Sequence, residues 1–203
     1  MKKYLLSFTA VGLMPREMQL VAQTFLECDG DWNETEKEIL ERNILQKASG
    51  STLRRKLREL KKRCMALTDE ELARLAENEE SRALAFLGAV KSYALLHEFC
   101  IEVLRNKYLN FDPFLLESDW ANFIESKKSL SEELAEKSET TLAKARQVIF
   151  HMLKNAGLLE GSTIVRPYLS PGLVASICRD DPKWLADFLY SDTDIETSCK
   201  GKL

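Results

Sequence analysis

The residues most suited to binding chemistry are the basic side chains between positions 54 and 63. Seven of these ten residues are basic and only Glu59 is acidic, in a chain whose formal net charge is −3. The seven are Arg54, Arg55, Lys56, Arg58, Lys61, Lys62 and Arg63. A local concentration of positive charge on an acidic protein attracts polyanions. The segment is therefore a candidate for contact with the phosphates of nucleic acid.

The same segment carries the pattern of an amphipathic helix. Apolar residues recur at spacings of four and three: Leu53, Leu57, Leu60, Cys64 and Leu67. At about 100° per residue, Arg55, Arg58 and Lys62 point away from this apolar stripe, and the other cations flank it. The competing interpretation is a solvated helix face whose charges pair with the acidic residues that follow, between Asp69 and Glu80.

A second candidate surface lies on a helix predicted to begin at Thr140 or Thr141 and to end near Asn155. Five polar residues of this segment are candidates for contact with bases or phosphates: Thr140, Lys144, Gln147, His151 and Lys154. The last four follow spacings of three, four and three, which places them opposite the apolar side of the helix. Lys144 and Gln147 suit base edges or phosphates, and Lys154 suits phosphates.

The elements around this helix occur in the order of a winged helix-turn-helix. Ser131 can cap a short preceding helix, and residues 137–140 form the turn. After Gly157, the β-branched pair Ile164 and Val165 predicts a strand of a small wing with its tip at residues 160–162. Arg166 on this wing is expected to contact phosphate. The competing interpretation is that a domain of this shape serves protein interaction only.

The remaining chain reads as a succession of helices, and the fold class we predict is mainly α. The helix expected to end near Leu45 is followed by a polar turn and the basic helix, which is the order of a helix-turn-helix with a long connection. A central helix is expected from about Glu80 to Leu109, and the break that follows is the best domain boundary. We expect domains at 1–112 and 113–172, and a docking helix with tail at 173–203.

The composition and motifs favour a protein without catalytic chemistry. Hydrophobic residues make up 45% of the chain and charged residues 30%, which is typical of a globular protein, and we expect no membrane span. The five cysteines are scattered, and we interpret them as buried thiols of a cytoplasmic protein. With two histidines and no CxxC pair, no metal site or cofactor is expected. Phosphate-binding glycine loops and a nucleophile elbow are absent from the sequence, so we predict no catalytic residues.

Three segments of the chain resemble the BrxA family of bacteriophage exclusion (BREX) defence systems. They are YLLSFTAVGLMPREMQLVAQTFLECDGDW, then ILQKASGSTLRRKLRELKKR with the LTDEEL that follows, and KARQVIFHMLKNAGLL. The resemblance implies a helical bundle of NusB-like character with winged-helix features, DNA binding, and a role beside BREX proteins that methylate host DNA and block phage replication. It transfers no catalytic residues. Five basic positions fall in the matching segment: Arg54, Arg55, Arg58, Lys61 and Lys62.

These observations predict a non-enzymatic accessory protein that binds double-stranded DNA and works with other BREX proteins. One alternative is a scaffold in which the apolar stripe from Leu53 to Leu67 is an interhelical seam with another protein. A second is an RNA-binding, NusB-like protein. The apolar residues of the C-terminal segment are expected to dock on the main body or on a second copy of the chain. A homodimer is therefore one of the alternatives.

Overall fold

The computed structural model describes residues 4–201 and is mainly α-helical, as predicted. The chain forms two compact units, one spanning Leu13–Ser92 and the other combining residues 4–12 with 93–201. We call the first the basic unit and the second the hairpin unit. The predicted first domain includes residues 1–3 and the predicted tail includes residues 202–203, and these residues lie outside the described part of the chain.

The unit boundary differs from the predicted domain boundary at residue 112 because the expected helix over 80–109 is interrupted. Tyr93 has an extended backbone, with φ −129° and ψ 102°, and it separates two helices. The Tyr93 ring packs edge-on against Phe8, with 5.4 Å between ring centroids, inside the hairpin unit. The chain at Tyr93 therefore packs against Phe8 and does not continue the helix that was expected over 80–109.

The basic unit is built from five helices. They are α1 (Pro15–Glu27), α2 (Trp32–Arg42), α3 (Gly50–Cys64), α4 (Asp69–Ala76) and α5 (Ser81–Ser92). Asp31 caps α2 by accepting a hydrogen bond from the Asn33 amide at 2.7 Å. A capping box of Thr68 and Glu71 is present at the start of α4.

Helix α5 is the centre of the basic unit, since every residue from Ala83 to Val90 is buried. At Gly88 the helix lies close to α3 and α1. A Cβ at this position would be 2.9 Å from the backbone oxygen of Arg63 and 2.7 Å from the Met18 Cε. The absence of a side chain at Gly88 allows this close packing.

The hairpin unit contains further helices and a two-stranded antiparallel hairpin. A 3₁₀ turn at Ser7–Ala10 is followed by α6 (Ala94–Phe99), a π-helical stretch (Cys100–Arg105), α7 (Asn106–Leu109), α8 (Glu117–Lys128), α9 (Glu132–Ala135) and α10 (Glu139–Asn155). The chain continues with β1 (Leu159–Glu160), β2 (Thr163–Ile164), α11 (Pro171–Asp180), a 3₁₀ segment (Pro182–Phe188) and α12 (Asp192–Cys199).

Aromatic packing and a buried charge cluster hold the hairpin unit together. Phe99 lies within 5.3 Å of Trp120 and 5.1 Å of Phe123 between ring centroids. Lys127 is buried and contacts Glu98 at 2.6 Å and Glu102 at 2.5 Å. Burial works to lower the pKa of Lys127, but the hydrogen bonds to both glutamates outweigh it and raise the pKa. The lysine therefore stays charged in the interior.

The cysteines require one correction to the sequence interpretation. Cys178 and Cys199 form a disulfide that joins α11 to α12, with 5.3 Å between their Cα atoms, so these two are not free thiols. Cys64 and Cys100 are buried free thiols as predicted, and burial raises the pKa of Cys64 to about 12. Cys28 is half-buried.

Between residues 4 and 201, no single helix combines the length and the apolar composition that a bilayer span requires. The consecutive helices Ser81–Ser92 and Ala94–Leu109 reach that length and composition only when they are taken together.

Replacing Gly88 with alanine tests the close packing of α5. The added methyl group would press on the Arg63 carbonyl, so G88A should lower the free energy of unfolding by about 1–3 kcal/mol. Chemical denaturation followed by circular dichroism measures this. Gly50→Ala is the matched control, because its nearest neighbour would be the Arg54 Nη1 at 3.4 Å. Equal stability of G88A and wild type would contradict the assigned packing.

Candidate nucleic-acid interface

Helix α3 separates its seven cations into surface and interior positions. Arg54, Arg55 and Arg58 are exposed. Within residues 4–201, none of the three forms an ion pair or a hydrogen bond with a carboxylate. The predicted apolar stripe from Leu53 to Leu67 is buried, as the helical spacing required. We call these three arginines the arginine face.

Arg63 does not belong to this surface. Its side chain is 0% exposed, and its Nη1 donates a hydrogen bond of 3.1 Å to the Leu13 carbonyl. Arg63 follows Leu60 by three residues and precedes Cys64, so it shares the buried side of the helix. Its predicted contact with nucleic acid is wrong, and its role is to hold α3 against the start of α1.

The lysines of α3 are less available than the arginines. Lys61 forms an ion pair with Glu36 on α2, and its Nζ lies 5.3 Å from the centroid of the Trp32 ring. Lys56 and Lys62 are half-buried. Burial lowers the pKa of Lys62. Lys61 is therefore neutralised by a carboxylate, but that carboxylate lies upstream of α3 and not in the downstream segment that the competing interpretation named.

Three glutamates downstream of α3 contact cations outside that helix. Glu71 pairs with Lys91 at 2.6 Å while it caps its own helix. Glu79 contacts Arg74 at 2.9 Å, and Glu80 lies 3.6 Å from the same guanidinium. The arginine face thus keeps its positive charge although the chain as a whole is acidic.

The polar side of α10 matches the predicted surface. All five predicted residues are exposed: Thr140, Lys144, Gln147, His151 and Lys154. Lys144 donates a hydrogen bond of 3.1 Å to the Gln147 side-chain oxygen. The helix begins earlier than expected, since Ser138 caps it by accepting from the Thr141 amide. Thr140 is therefore a first-turn residue and not the cap. We call these five residues the α10 face.

The hairpin lies where the wing was predicted. Leu159 pairs with Ile164 and Glu160 with Thr163, so residues 161 and 162 form the tip. Phe114 adds a bridge to Thr163 that the sequence did not indicate. Short helix, longer helix and hairpin therefore follow each other in the expected order.

Arg166, just beyond the hairpin, is already engaged within the hairpin unit. Its Nη1 contacts Asp194 on α12 at 2.8 Å, and its guanidinium lies 3.7 Å from the centroid of the Tyr190 ring. Its predicted phosphate contact is therefore blocked in this arrangement by an internal carboxylate. Arg146, which is not part of the α10 face, pairs with Glu117 at 2.5 Å.

Two features near the hairpin escaped the sequence interpretation. Three large apolar side chains are exposed beside it: Phe111 at 94%, Phe114 at 53% and Leu116 at 52%. The predicted tail contains a C-terminal helix, α12, which begins with a capping box of Ser191 and Asp194. A serine followed three residues later by an acid is a readable signal for such a helix start.

These elements describe a mainly helical protein with two exposed polar surfaces, and comparison with known proteins identifies its family. The BrxA family model matches residues 2–181, and the chain belongs to this family. "BREX protein BrxA" of Bacillus cereus (strain H3081.97) is 31% identical over 118 residues, which cover 56% of each chain. "BREX protein BrxA" of Escherichia coli O9:H4 (strain HS) is 27% identical over 150 residues, 73% of this chain and 70% of that protein.

The fold itself has a counterpart among solved structures. The crystal structure of an uncharacterized protein from Magnetospirillum magneticum aligns with a TM-score of 0.80 at 16% identity, covering 93% of this chain and 98% of that one. At this identity the match concerns the fold alone.

The division of α3 into structural and surface cations predicts opposite effects for two alanine variants. Arg63→Ala removes a buried side chain and leaves the Leu13 carbonyl without its donor, so stability should fall by roughly 2–4 kcal/mol. Arg55→Ala changes an exposed position and should leave the melting temperature within about 1 °C. Differential scanning fluorimetry compares the two, and equal melting temperatures would refute the division.

Proposed function

We propose that this protein is a non-enzymatic DNA-binding accessory component of a BREX phage-defence system. The observation that carries the proposal is the arginine face, which is exposed and has no carboxylate partner in the described residues. Membership of the BrxA family, and relatives named as BREX proteins, support the biological setting. Other BREX proteins are the protein partners we propose.

The arginine face has the geometry of a phosphate-binding surface. Arg54 and Arg58 are one helical turn apart, about 5.4 Å along the axis, and Arg55 lies beside them. Duplex DNA carries one negative charge per about 1.7 Å of its axis, so a rigid helix can place all three guanidinium groups near phosphates at once. Guanidinium groups bind phosphate oxygens in a bidentate manner, which favours arginine over lysine here.

The α10 face would add contacts of a different kind. An exposed helix side with Lys144, Gln147 and His151 offers hydrogen bonds to base edges, while Lys154 suits phosphate. The hairpin that follows supports interpreting this region as a winged helix-turn-helix, in which a helix of this type enters the major groove. The two surfaces lie in separate units, and each is proposed on its own contacts.

The proposal of a non-enzymatic role rests on the chain's chemistry. The sequence lacks phosphate-binding glycine loops and nucleophile elbows. The described residues 4–201 bring together no group of three or more His, Cys, Asp or Glu suited to a metal. Half-buried His97 lies 2.9 Å from buried Asp187 and packs against the Trp184 ring, and we assign this pair to packing.

A scaffold function is the second candidate, on different residues from those first expected. The stripe from Leu53 to Leu67 is buried within the chain and cannot serve as a seam for a partner. The exposed side chains of Phe111, Phe114 and Leu116 instead offer an apolar surface beside the hairpin. This surface favours contact with another protein of the defence system, and it is compatible with DNA binding elsewhere.

Reversing the charge of the arginine face tests the main proposal. The triple change Arg54→Glu, Arg55→Glu and Arg58→Glu should lower the apparent affinity for a DNA duplex by about 100-fold or more. At concentrations where the wild-type protein shifts the duplex in a gel, this variant should give no shift. The single Arg55→Ala variant should lower the salt slope of binding by about 0.9, the value for one phosphate. Duplex, single-stranded DNA and RNA are compared, because preferential RNA binding would favour the NusB-like alternative.

The control for this experiment carries the same change in net charge at other exposed cations. Lys37→Glu, Arg42→Glu and Lys183→Glu together should retain the gel shift, since none of the three lies on α3 or the α10 face. Circular dichroism confirms that both triple variants keep their helix content. If the arginine-face variant binds DNA as the control does, α3 is not the interface.

Single alanine variants separate the roles proposed for the α10 face. Lys154→Ala should weaken binding to all duplexes alike and reduce the salt slope by about 0.9. Gln147→Ala should change the preference among duplex sequences while leaving the salt slope unchanged. Fluorescence anisotropy with a small panel of duplexes measures both quantities. Wild-type affinity, slope and preference in both variants would exclude the α10 face.

A further inference from the structure

Helix α12 is an acidic segment and the last helix of the hairpin unit. Its eight residues include Asp192, Asp194 and Glu196 and carry no basic side chain. Asp194 pairs with Arg166 at 2.8 Å and Asp192 with Arg105 at 2.6 Å. Two cations of the hairpin unit are therefore neutralised by carboxylates of a single short helix.

The attachment of α12 depends on its disulfide. Cys199 is the buried residue of this helix, and it is bonded to Cys178, which is buried in α11. The capping box of Ser191 and Asp194 is local to the helix, and ion pairs at exposed positions contribute little to stability. A helix of this length is marginal in water without tertiary contacts. The disulfide is consequently the main anchor of α12.

We infer that the Cys178–Cys199 disulfide is a redox switch that controls the availability of Arg166 for phosphate. In the oxidised protein, α12 is tethered and Asp194 occupies the guanidinium of Arg166. After reduction, α12 loses its anchor and withdraws three negative charges from the neighbourhood of the hairpin. The switch regulates the DNA-binding surface described above, and in that respect it rests on the proposed function.

The chemical step is thiol–disulfide exchange with a thiol reductant. Two thiol groups of the reductant supply two electrons and two protons, the Sγ–Sγ bond breaks, and Cys178 and Cys199 become thiols while the reductant becomes a disulfide. Protein disulfides of this kind in reducing surroundings are usually transient and redox-sensing. The exchange requires no other co-reactant.

Arg166 keeps its position when α12 leaves. Its guanidinium lies on the Tyr190 ring, and Tyr190 is outside α12 and buried. The Tyr190 carbonyl accepts a hydrogen bond of 2.8 Å from Arg105 Nε, which holds this residue independently of the disulfide. The ring orients the guanidinium plane, and its N–H groups become free to bind phosphate.

The test compares the full-length protein before and after treatment with dithiothreitol, which is removed before binding to a fluorescent DNA duplex. Reduction should tighten binding by about threefold to tenfold and steepen the salt slope by about 0.9. Cys199→Ser should bind as the reduced protein does under both conditions. Asp194→Asn, which retains an oxygen to accept from Ser191, should bind tightly even when the disulfide is intact.

Cys28→Ser is the matched control, because Cys28 is a half-buried free cysteine in the basic unit, and this variant should retain the full redox response. Equal affinity of oxidised and reduced wild type, or a redox response that persists in Cys199→Ser, would overturn the switch.

Hydrogen–deuterium exchange separates the switch from the proposed function. Reduction should remove the amide protection of residues 195–199 without affecting α10. Protection that persists after reduction would overturn the switch whether or not DNA binds. Absence of DNA binding in both redox states, together with release of α12, would instead overturn the proposed function and leave the release of α12 established.

Discussion

The burial of one side of α3 against the rest of the basic unit decides what the other side can do. The apolar stripe and Arg63 are enclosed, and Gly88 allows α5 to approach the backbone of α3. A helix with so many cations would not be stable alone, because its like charges repel and its apolar side would be exposed. Tertiary packing fixes its rotation, and this rotation leaves Arg54, Arg55 and Arg58 in solvent.

The hairpin unit handles charge in a different way. Its interior contains the ion pairs of Lys127, and its surface cation Arg166 is held by Asp194. In the basic unit, positive charge on the arginine face is a fixed consequence of packing. In the hairpin unit, a carboxylate offsets the charge of Arg166 only while a tethered acidic helix is present. A constant and an adjustable surface in one chain would separate attachment to a polyanion from the control of that attachment.

Much of the local structure could be predicted from the sequence, because it is determined by neighbouring residues. The capping box at Thr68, the start of α1 at Pro15 and the hairpin near Gly161 follow from short-range signals. Helical spacing also gave the correct orientation for Arg55 and Arg58. It could not distinguish Arg63 at the edge of the stripe, since whether a flanking arginine is buried depends on the elements that pack against it.

The features that the sequence did not predict depend on residues far apart in the chain. Helical spacing continues through Tyr93 without a glycine or proline, so the sequence gives no sign of the extended backbone at this residue, whose ring packs against distant Phe8. The disulfide brings together cysteines 21 residues apart, and composition alone favoured free thiols. Asp194 pairs with Arg166, which lies 28 positions earlier in the sequence. A candidate surface read from sequence is therefore complete only when its distant neighbours are known.

Local charge, not net charge, determines whether an acidic protein can bind a polyanion. At physiological ionic strength the screening length is about 8 Å, so a carboxylate beyond that distance contributes little to the field at a guanidinium. Glu79 and Glu80 follow α3 closely in sequence, yet they contact Arg74. Asp194 is distant in sequence, yet it contacts Arg166 directly at 2.8 Å. Proximity in space thus leaves the arginine face positive, whereas the carboxylate of Asp194 offsets the positive charge of Arg166 for as long as α12 stays in place.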